Sequence, residues 1–119
     1  SVEITLESHA TSLDNEAGLA SGHFDVDLSP LGERQARELG QRYAETRLDR
    51  VFCSDLRRAY RTAEIAFGGR SLPIIRDARL RECNYGDLTR RPREEISALA
   101  LQCIRVPYPN GESWQQAGA

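Results

Sequence analysis

The stretch 49-DRVFCSDLRRAYRTAEIAFGGRSLPIIR-76 decides the fold. It opens with a short apolar run at Val51 to Cys53, of strand length rather than helix length. Leu56, Ala59, Tyr60, Ala63 and Phe67 then recur at helical spacing until Gly68 and Gly69 stop the helix. "LPIIR" follows as another strand. A strand, a helix and a strand joined this closely predict a parallel pair with a right-handed crossover. Ligands of such sheets bind beyond the carboxyl ends of the strands, so Ser54 to Arg58 open onto the edge where chemistry is expected.

Upstream, "LSPLGERQARELGQRYAETR" begins a helix with Ser29 as N-cap and Pro30 in the first turn, and Ala36, Leu39 and Tyr43 share one face. Residues 10–27, rich in Gly, Ser, Asn and Asp without a period, read as a long loop of the functional kind. Before them Val2, Ile4 and Leu6 alternate as in a strand with one apolar face, and His9 stands where that strand opens into the loop. Downstream, a helix from about Pro92 puts Ile96, Leu99, Ala100 and Cys103 on one face, with Glu94 and Glu95 near its positive end. The expected fold is α/β: a three-layer α/β/α arrangement with a mostly parallel sheet, in a single domain over residues 1–119.

Composition narrows the class. A chain of 119 residues can bury one core without staples. It has no apolar stretch of spanning length and no signal-peptide pattern, so no membrane partner is expected and the cytoplasm is the default location. Cys53, Cys83 and Cys103 are odd in number and widely spaced, which reads as reduced thiols rather than a metal set or a disulfide framework. The net charge of −2 hides an asymmetry, because residues 51–119 carry eleven of the sixteen basic residues, all of them arginine. Arginine grips phosphate at two points. Nucleic acid is excluded as the main partner, since the chain is slightly acidic and carries no reader motif or basic-aromatic stripe.

Several chemistry-bearing residues can gather at the sheet edge: His9, Asn15, Arg57, Arg58 and Arg61, with Arg79, Arg81 and Glu82 of "DARLREC". An imidazole can attack phosphorus, guanidiniums can hold the equatorial oxygens, and a protonated carboxyl can supply the leaving oxygen with its proton. No metal and no organic cofactor is required. Taken singly, each arginine of the helix after Ser54 reads more simply as part of a solvated face, and a lone histidine at a strand end as a hydrogen-bonded structural residue. "TRRPREEI" likewise reads as a solvated helix entry with Pro92 in the first turn.

The spacing of these residues resembles the histidine phosphatase superfamily, also called phosphoglycerate mutase-like. Its opening motif is Arg-His-Gly, followed by an asparagine, glycines, an aspartate, a Leu-Thr or Leu-Ser step and Gly-x-x-Gln-Ala. Here His9, Asn15, Gly18, Gly22, Asp25, Leu28, Ser29, Gly32, Gln35 and Ala36 fall in that order. "CSDLRRAYRTAE" is similar to the family's Ser-x-Leu-x-Arg-Ala-x-x-Thr-Ala segment, "LRECNYGDL" to its Leu-x-Glu block, and "YPNGES" to its Pro-x-Gly-Glu-Ser element. The resemblance implies a phosphatase acting on small phosphorylated substrates, with His9 as the phosphorylated nucleophile and Glu82 as the proton donor. Arg58, Asn15, Ser8, Gly22 and Arg81 are the implied substrate-binding residues.

Three departures qualify that implication. The family arginine before the nucleophile is Ser8, and the glycine after it is Ala10, so one bidentate phosphate clamp is missing; Arg57, Arg61 or Arg81 are the candidates to replace it. Glu7 places an acid where the family strand is apolar, and would repel a phosphate unless paired. Nothing after "GESWQQAGA" supplies the family's second histidine, and His23, at a position usually aromatic, reads as a rim residue. The sequence therefore predicts either a piece of a longer chain or a protein that works without that histidine. The strand expected to bear it pairs beside the first strand in the family sheet, so an open edge is expected, with pairing to a second copy as one way to close it. A catalytically impaired relative that binds a phosphorylated ligand or partner protein is the alternative to a phosphatase; a mutase, which must retain its phosphoryl group, is the less favoured enzyme.

Overall fold

The computed structural model describes residues 1–119. In chain order it contains α1 (Leu13–Ala17), α2 (Pro30–Arg42), β1 (Val51–Cys53), α3 (Arg57–Phe67), β2 (Ile74–Arg76), α4 (Arg93–Leu99) and α5 (Trp114–Ala117). Two single 3₁₀ turns, Ala78–Leu80 and Gly86–Leu88, lie between β2 and α4. None of the helices is long and apolar enough to cross a membrane.

The strand–helix–strand unit forms as the apolar spacing dictates. β1 and β2 pair in parallel, with Val51 opposite Ile74 and Cys53 opposite Arg76. α3 is the crossover and packs on both strands, and α2 packs on α3. Ala63 and Phe67 of α3 and Ala36 and Leu39 of α2 are buried. α2 starts at Ser29, whose side chain accepts the Gly32 amide at 3.1 Å. Gly32 is required by proximity, because a Cβ there would stand 1.9 Å from the Thr11 carbonyl oxygen. On the other face of the strand pair, Phe52 and Ile75 are exposed.

The structure departs from the sequence pattern at three places. Residues 2–6 form no strand: Val2, Ile4 and Leu6 are exposed, and the backbone of residues 1–8 makes no hydrogen bond. Alternation supplies an apolar face, but a strand also needs a neighbour for its N–H and C=O groups, and β1 bonds only β2. Within the loop, residues 13–17 coil into α1, because Ser12 and Asn15 satisfy each other's backbone amides in a capping box and Gly18 ends the turn at φ 73°. Finally, α4 stops at Leu99, short of Cys103, and the chain turns so that the Cys103 and Ile104 carbonyls accept the first amides of α5.

Beneath these loops a second apolar cluster gathers Ala20, Cys83, Tyr85, Ile96, Cys103 and Tyr108, with Trp114 packed against it. Tyr85, Tyr108 and Trp114 meet edge to face, at ring separations of 5.2 to 6.5 Å. This cluster fixes the segments that carry Glu82, α4 and α5 relative to the loop that follows His9.

Candidate active site

His9 is held through its neighbours. The Ala10 amide donates to the Thr62 hydroxyl on α3 at 3.0 Å, and that hydroxyl donates to the Arg58 carbonyl at 2.6 Å. The Thr11 amide donates to the Gln35 side chain on α2 at 2.9 Å, and the Thr11 carbonyl accepts the Ser29 amide. Residues 10 and 11 are thus tied to both helices, which sets the half-buried imidazole at the start of the loop. The ring Nδ1–H donates to the Ala10 carbonyl at 2.6 Å. A carbonyl can only accept, so in the neutral ring the proton sits on Nδ1 and the lone pair on Nε2.

Arg58 lies one residue into α3 and is only 3% exposed. Its Nη1 donates to the Phe24 carbonyl at 2.9 Å, and its Nη2 to the Gly22 carbonyl at 2.6 Å and to the Glu82 carboxylate at 3.5 Å. Those carbonyls are presented because Gly22 adopts φ 55°, with Tyr85 packed so closely that a Cβ would touch its ring at 3.0 Å. The Tyr85 hydroxyl donates to the other Glu82 oxygen at 2.5 Å. Burial, reinforced by that carboxylate, pushes the Tyr85 phenol well above its ordinary range. Glu82 is therefore fixed between a guanidinium and a phenol, and its backbone carbonyl accepts the His23 Nε2–H at 2.8 Å.

His9, Asn15, Arg58 and Glu82 line one cavity of about 260 Å³. Asn15 spends its Oδ1 on the Ser12 amide and leaves its Nδ2 donors free of protein partners. Of the other residues singled out from the sequence, Gly22 contributes its carbonyl and its close packing rather than a cavity wall. Ser8 lines a separate recess beside His9, with Glu7, Gln35 and Arg42. Arg81 forks onto Asp55 with two bonds of 2.6 Å, and its guanidinium holds that carboxyl below its usual range. Neither Ser8 nor Arg81 joins the four in the cavity.

The candidate replacement clamps are likewise engaged. Arg57 gives its backbone N–H and its guanidinium to Asp25. Arg61 pairs with Asp27 and Glu33. Glu7 is also paired: one oxygen accepts the Tyr43 hydroxyl at 2.5 Å and the other lies 4.0 Å from Arg42, so its charge is directed to the end of α2.

Arg93, which the sequence pattern assigns to a solvated helix entry, lines the cavity, and its guanidinium pairs with no carboxylate. Trp114 and Ile96 line it as well. Nothing in the run "RRPR" distinguishes Arg93 from its neighbours, whereas Arg90 pairs with Asp14 and Arg91 with Glu95. The helix pattern after Pro92 was the signal that could have pointed to it, because it puts residue 93 in the same first turn and a half as Ile96.

Comparison with known proteins shows the family. The family model described as histidine phosphatase superfamily (branch 1) matches residues 4–119. A probable phosphoglycerate mutase, GpmB, of Erwinia tasmaniensis is 34% identical over 116 residues, covering 98% of this chain and 49% of the relative. The fructose-2,6-bisphosphatase TIGAR of Xenopus tropicalis is 35% identical over 125 residues, covering 98% of this chain and 46% of the relative. Among solved structures, the alpha-ribazole phosphatase from Shigella flexneri superposes with a TM-score of 0.81 at 30% identity, covering 92% of this chain and 58% of that one. The chain thus spans about half the length of these curated relatives.

Proposed function

The chain belongs to the histidine phosphatase superfamily, branch 1, and from that premise we propose that it hydrolyses phosphoric monoesters through a phosphohistidine at His9. The observation that carries this proposal is the 2.6 Å approach of His9 Nδ1 to the Ala10 carbonyl, which commits the Nδ1–H and leaves the lone pair on Nε2, in a residue that lines one cavity with Arg58 and Glu82. In the first step Nε2 bonds to phosphorus, the P–O ester bond breaks, and the departing oxygen takes a proton from the carboxyl of Glu82. In the second step the Glu82 carboxylate takes a proton from water, the resulting oxygen bonds to phosphorus, and the P–N bond breaks to restore the imidazole. Neither step requires a metal or an organic cofactor.

Arg58 puts a positive charge at the cavity wall while its guanidinium is held by the Phe24 and Gly22 carbonyls and Glu82, and the Asn15 Nδ2 and Arg93 are the donors left free to meet the phosphoryl oxygens. Arg93 supplies the unpaired cation of the cavity, a charge that Arg57, Arg61 and Arg81 do not bring there. The names of the relatives cover a mutase and phosphatases of small phosphate esters, which supports the reaction class and leaves the substrate to be chosen by the cavity wall. Three unpaired cysteines suit a reducing compartment, and the cytoplasm is the proposed location.

The test is phosphate release from p-nitrophenyl phosphate in mild acid with chelator present, alongside quenching in alkaline detergent to trap the phosphoenzyme. Turnover that survives chelation, a phosphoramidate that is labile in acid and stable in base, and loss of both in His9→Ala are expected. Turnover that persists in His9→Ala removes the phosphohistidine.

One observation favours a second reading. The Arg58 guanidinium is already spent on two carbonyls and on Glu82, which suits a protein that binds a phosphorylated ligand without turning it over. Saturable binding of phenyl phosphate with no phosphate release would decide for that alternative.

A further inference from the structure

A buried carboxylate is unfavourable unless each oxygen is paired. Asp14 is only 2% exposed, and both of its oxygens are engaged: Oδ2 accepts the Ser21 hydroxyl at 2.9 Å and the Arg90 Nε–H at 3.2 Å, and Oδ1 accepts the Arg90 Nη2–H at 3.1 Å. Its partner holds a second unfavourable feature. Arg90 sits at φ 65°, in the left-handed region that residues with a Cβ seldom adopt, and its guanidinium stacks 4.4 Å from the centre of the Phe24 ring.

These two features meet at a joint. The Arg90 amide donates to the Ala20 carbonyl at 2.6 Å, the Ala20 amide to the Arg91 carbonyl at 2.9 Å, and the Arg93 amide to the Gly18 carbonyl at 2.8 Å. This short antiparallel seam joins the two walls of the cavity. Asn15, Ala20 and Ser21 stand on one side of it and Arg93 and Ile96 on the other. An apolar pair would join the segments without burying charge, and a glycine at residue 90 would relieve the backbone, so packing alone requires neither residue.

We infer that Asp14 and Arg90 are a positioning pair that sets the separation of the two cavity walls, and with it the distance between the Asn15 amide and the Arg93 guanidinium. They act on the phosphate ester through those two residues, without touching it. This rests on the cavity being the phosphate-ester site.

The test uses Asp14→Asn, Arg90→Gly, Arg90→Lys and the double variant Asp14→Asn/Arg90→Gly. Arg90→Gly removes the guanidinium while suiting the φ of that residue, so it keeps a folded protein available. The readouts are kcat and KM for phenyl phosphate, and the Kd for inorganic phosphate from the fluorescence of Trp114, the only tryptophan, which lines the cavity. Each single variant is expected to raise KM and Kd about tenfold with kcat changed less than about threefold, the double variant to be no worse than the poorer single one, and Arg90→Lys to recover part of the loss. Variants that melt earlier but keep the wild-type KM and Kd well below their melting temperature overturn the inference. If the wild type releases no phosphate, the catalytic proposal falls and the phosphate titration alone decides this one. A wild type that neither turns over phenyl phosphate nor binds phosphate overturns both.

Discussion

Thr62 on α3 accepts the amide proton of Ala10, the residue after His9, at 3.0 Å across 52 positions of sequence. The same hydroxyl donates its own hydrogen bond to the Arg58 carbonyl at 2.6 Å. One buried oxygen thereby ties the imidazole-bearing segment to the helix that carries the buried arginine.

Thr62→Val keeps the shape of the side chain and leaves the Ala10 amide buried without an acceptor. The expected loss is about 1–3 kcal/mol of stability in urea unfolding, with a fall in kcat from the released His9 segment. Thr62→Ser restores the hydroxyl and is expected to recover most of both. Equal behaviour of the Val and Ser variants would show that the bond does not position His9.

Gly22→Ala introduces a Cβ at φ 55° and 3.0 Å from the Tyr85 ring. The backbone strain alone is about 1–2 kcal/mol, and the carbonyl that holds Arg58 must shift with it. A lower midpoint in thermal melting is expected together with weaker binding of inorganic phosphate. Wild-type melting would mean that the loop accommodates the methyl group.

Glu82→Gln tests the assignment of the proton donor. Loss of a general acid is expected to slow an alkyl phosphate, whose leaving oxygen needs a proton, by about 10²–10⁴-fold in kcat. An aryl phosphate with an acidic phenol is expected to suffer much less. Equal losses on the two substrates would assign Glu82 to binding Arg58 and Tyr85 rather than to proton transfer.

Alkaline pH should destabilise the fold through Cys83. Burial pushes this thiol from an ordinary value of 9.0 up to about 11. The folded chain keeps a proton that the unfolded chain loses, so stability is intact below about pH 9 and declines as pH rises to about 11, by a total on the order of 2 kcal/mol. Tyr85 is raised in the same direction and extends the decline to higher pH. In Cys83→Ser, whose hydroxyl can also donate to the Glu112 carbonyl that the thiol approaches at 3.6 Å, the loss of melting temperature above pH 9 is expected to shrink to the part left by Cys53, whose thiol burial also pushes up, until the tyrosine begins to titrate. An unchanged pH profile would remove Cys83 as the cause.

Much of the fold and part of the site were legible because they depend on neighbours in sequence. The spacing of Leu56, Ala63 and Phe67 specifies one buried helix face, and Ser29 caps the amide of Gly32 only three residues on. The types and order of His9, Asn15, Arg58 and Glu82 named the residues that line one cavity. The run Val2, Ile4, Leu6 misled, since alternation marks an apolar face and says nothing about whether another strand lies alongside.

What the sequence by itself determined is the strand–helix–strand order, the helix faces and the chemical inventory of the site. Only the tertiary structure decided which arginines are spent and which is free. Arg57, Arg61 and Arg81 are taken by Asp25, by Asp27 and Glu33, and by Asp55, while Arg93 reaches the cavity unpaired. The buried Asp14 finds Arg90 across 76 positions. Periodicity and capping act over a few residues along the chain, whereas an ion pair depends on where folding places two distant segments, and local sequence carries no measure of that distance.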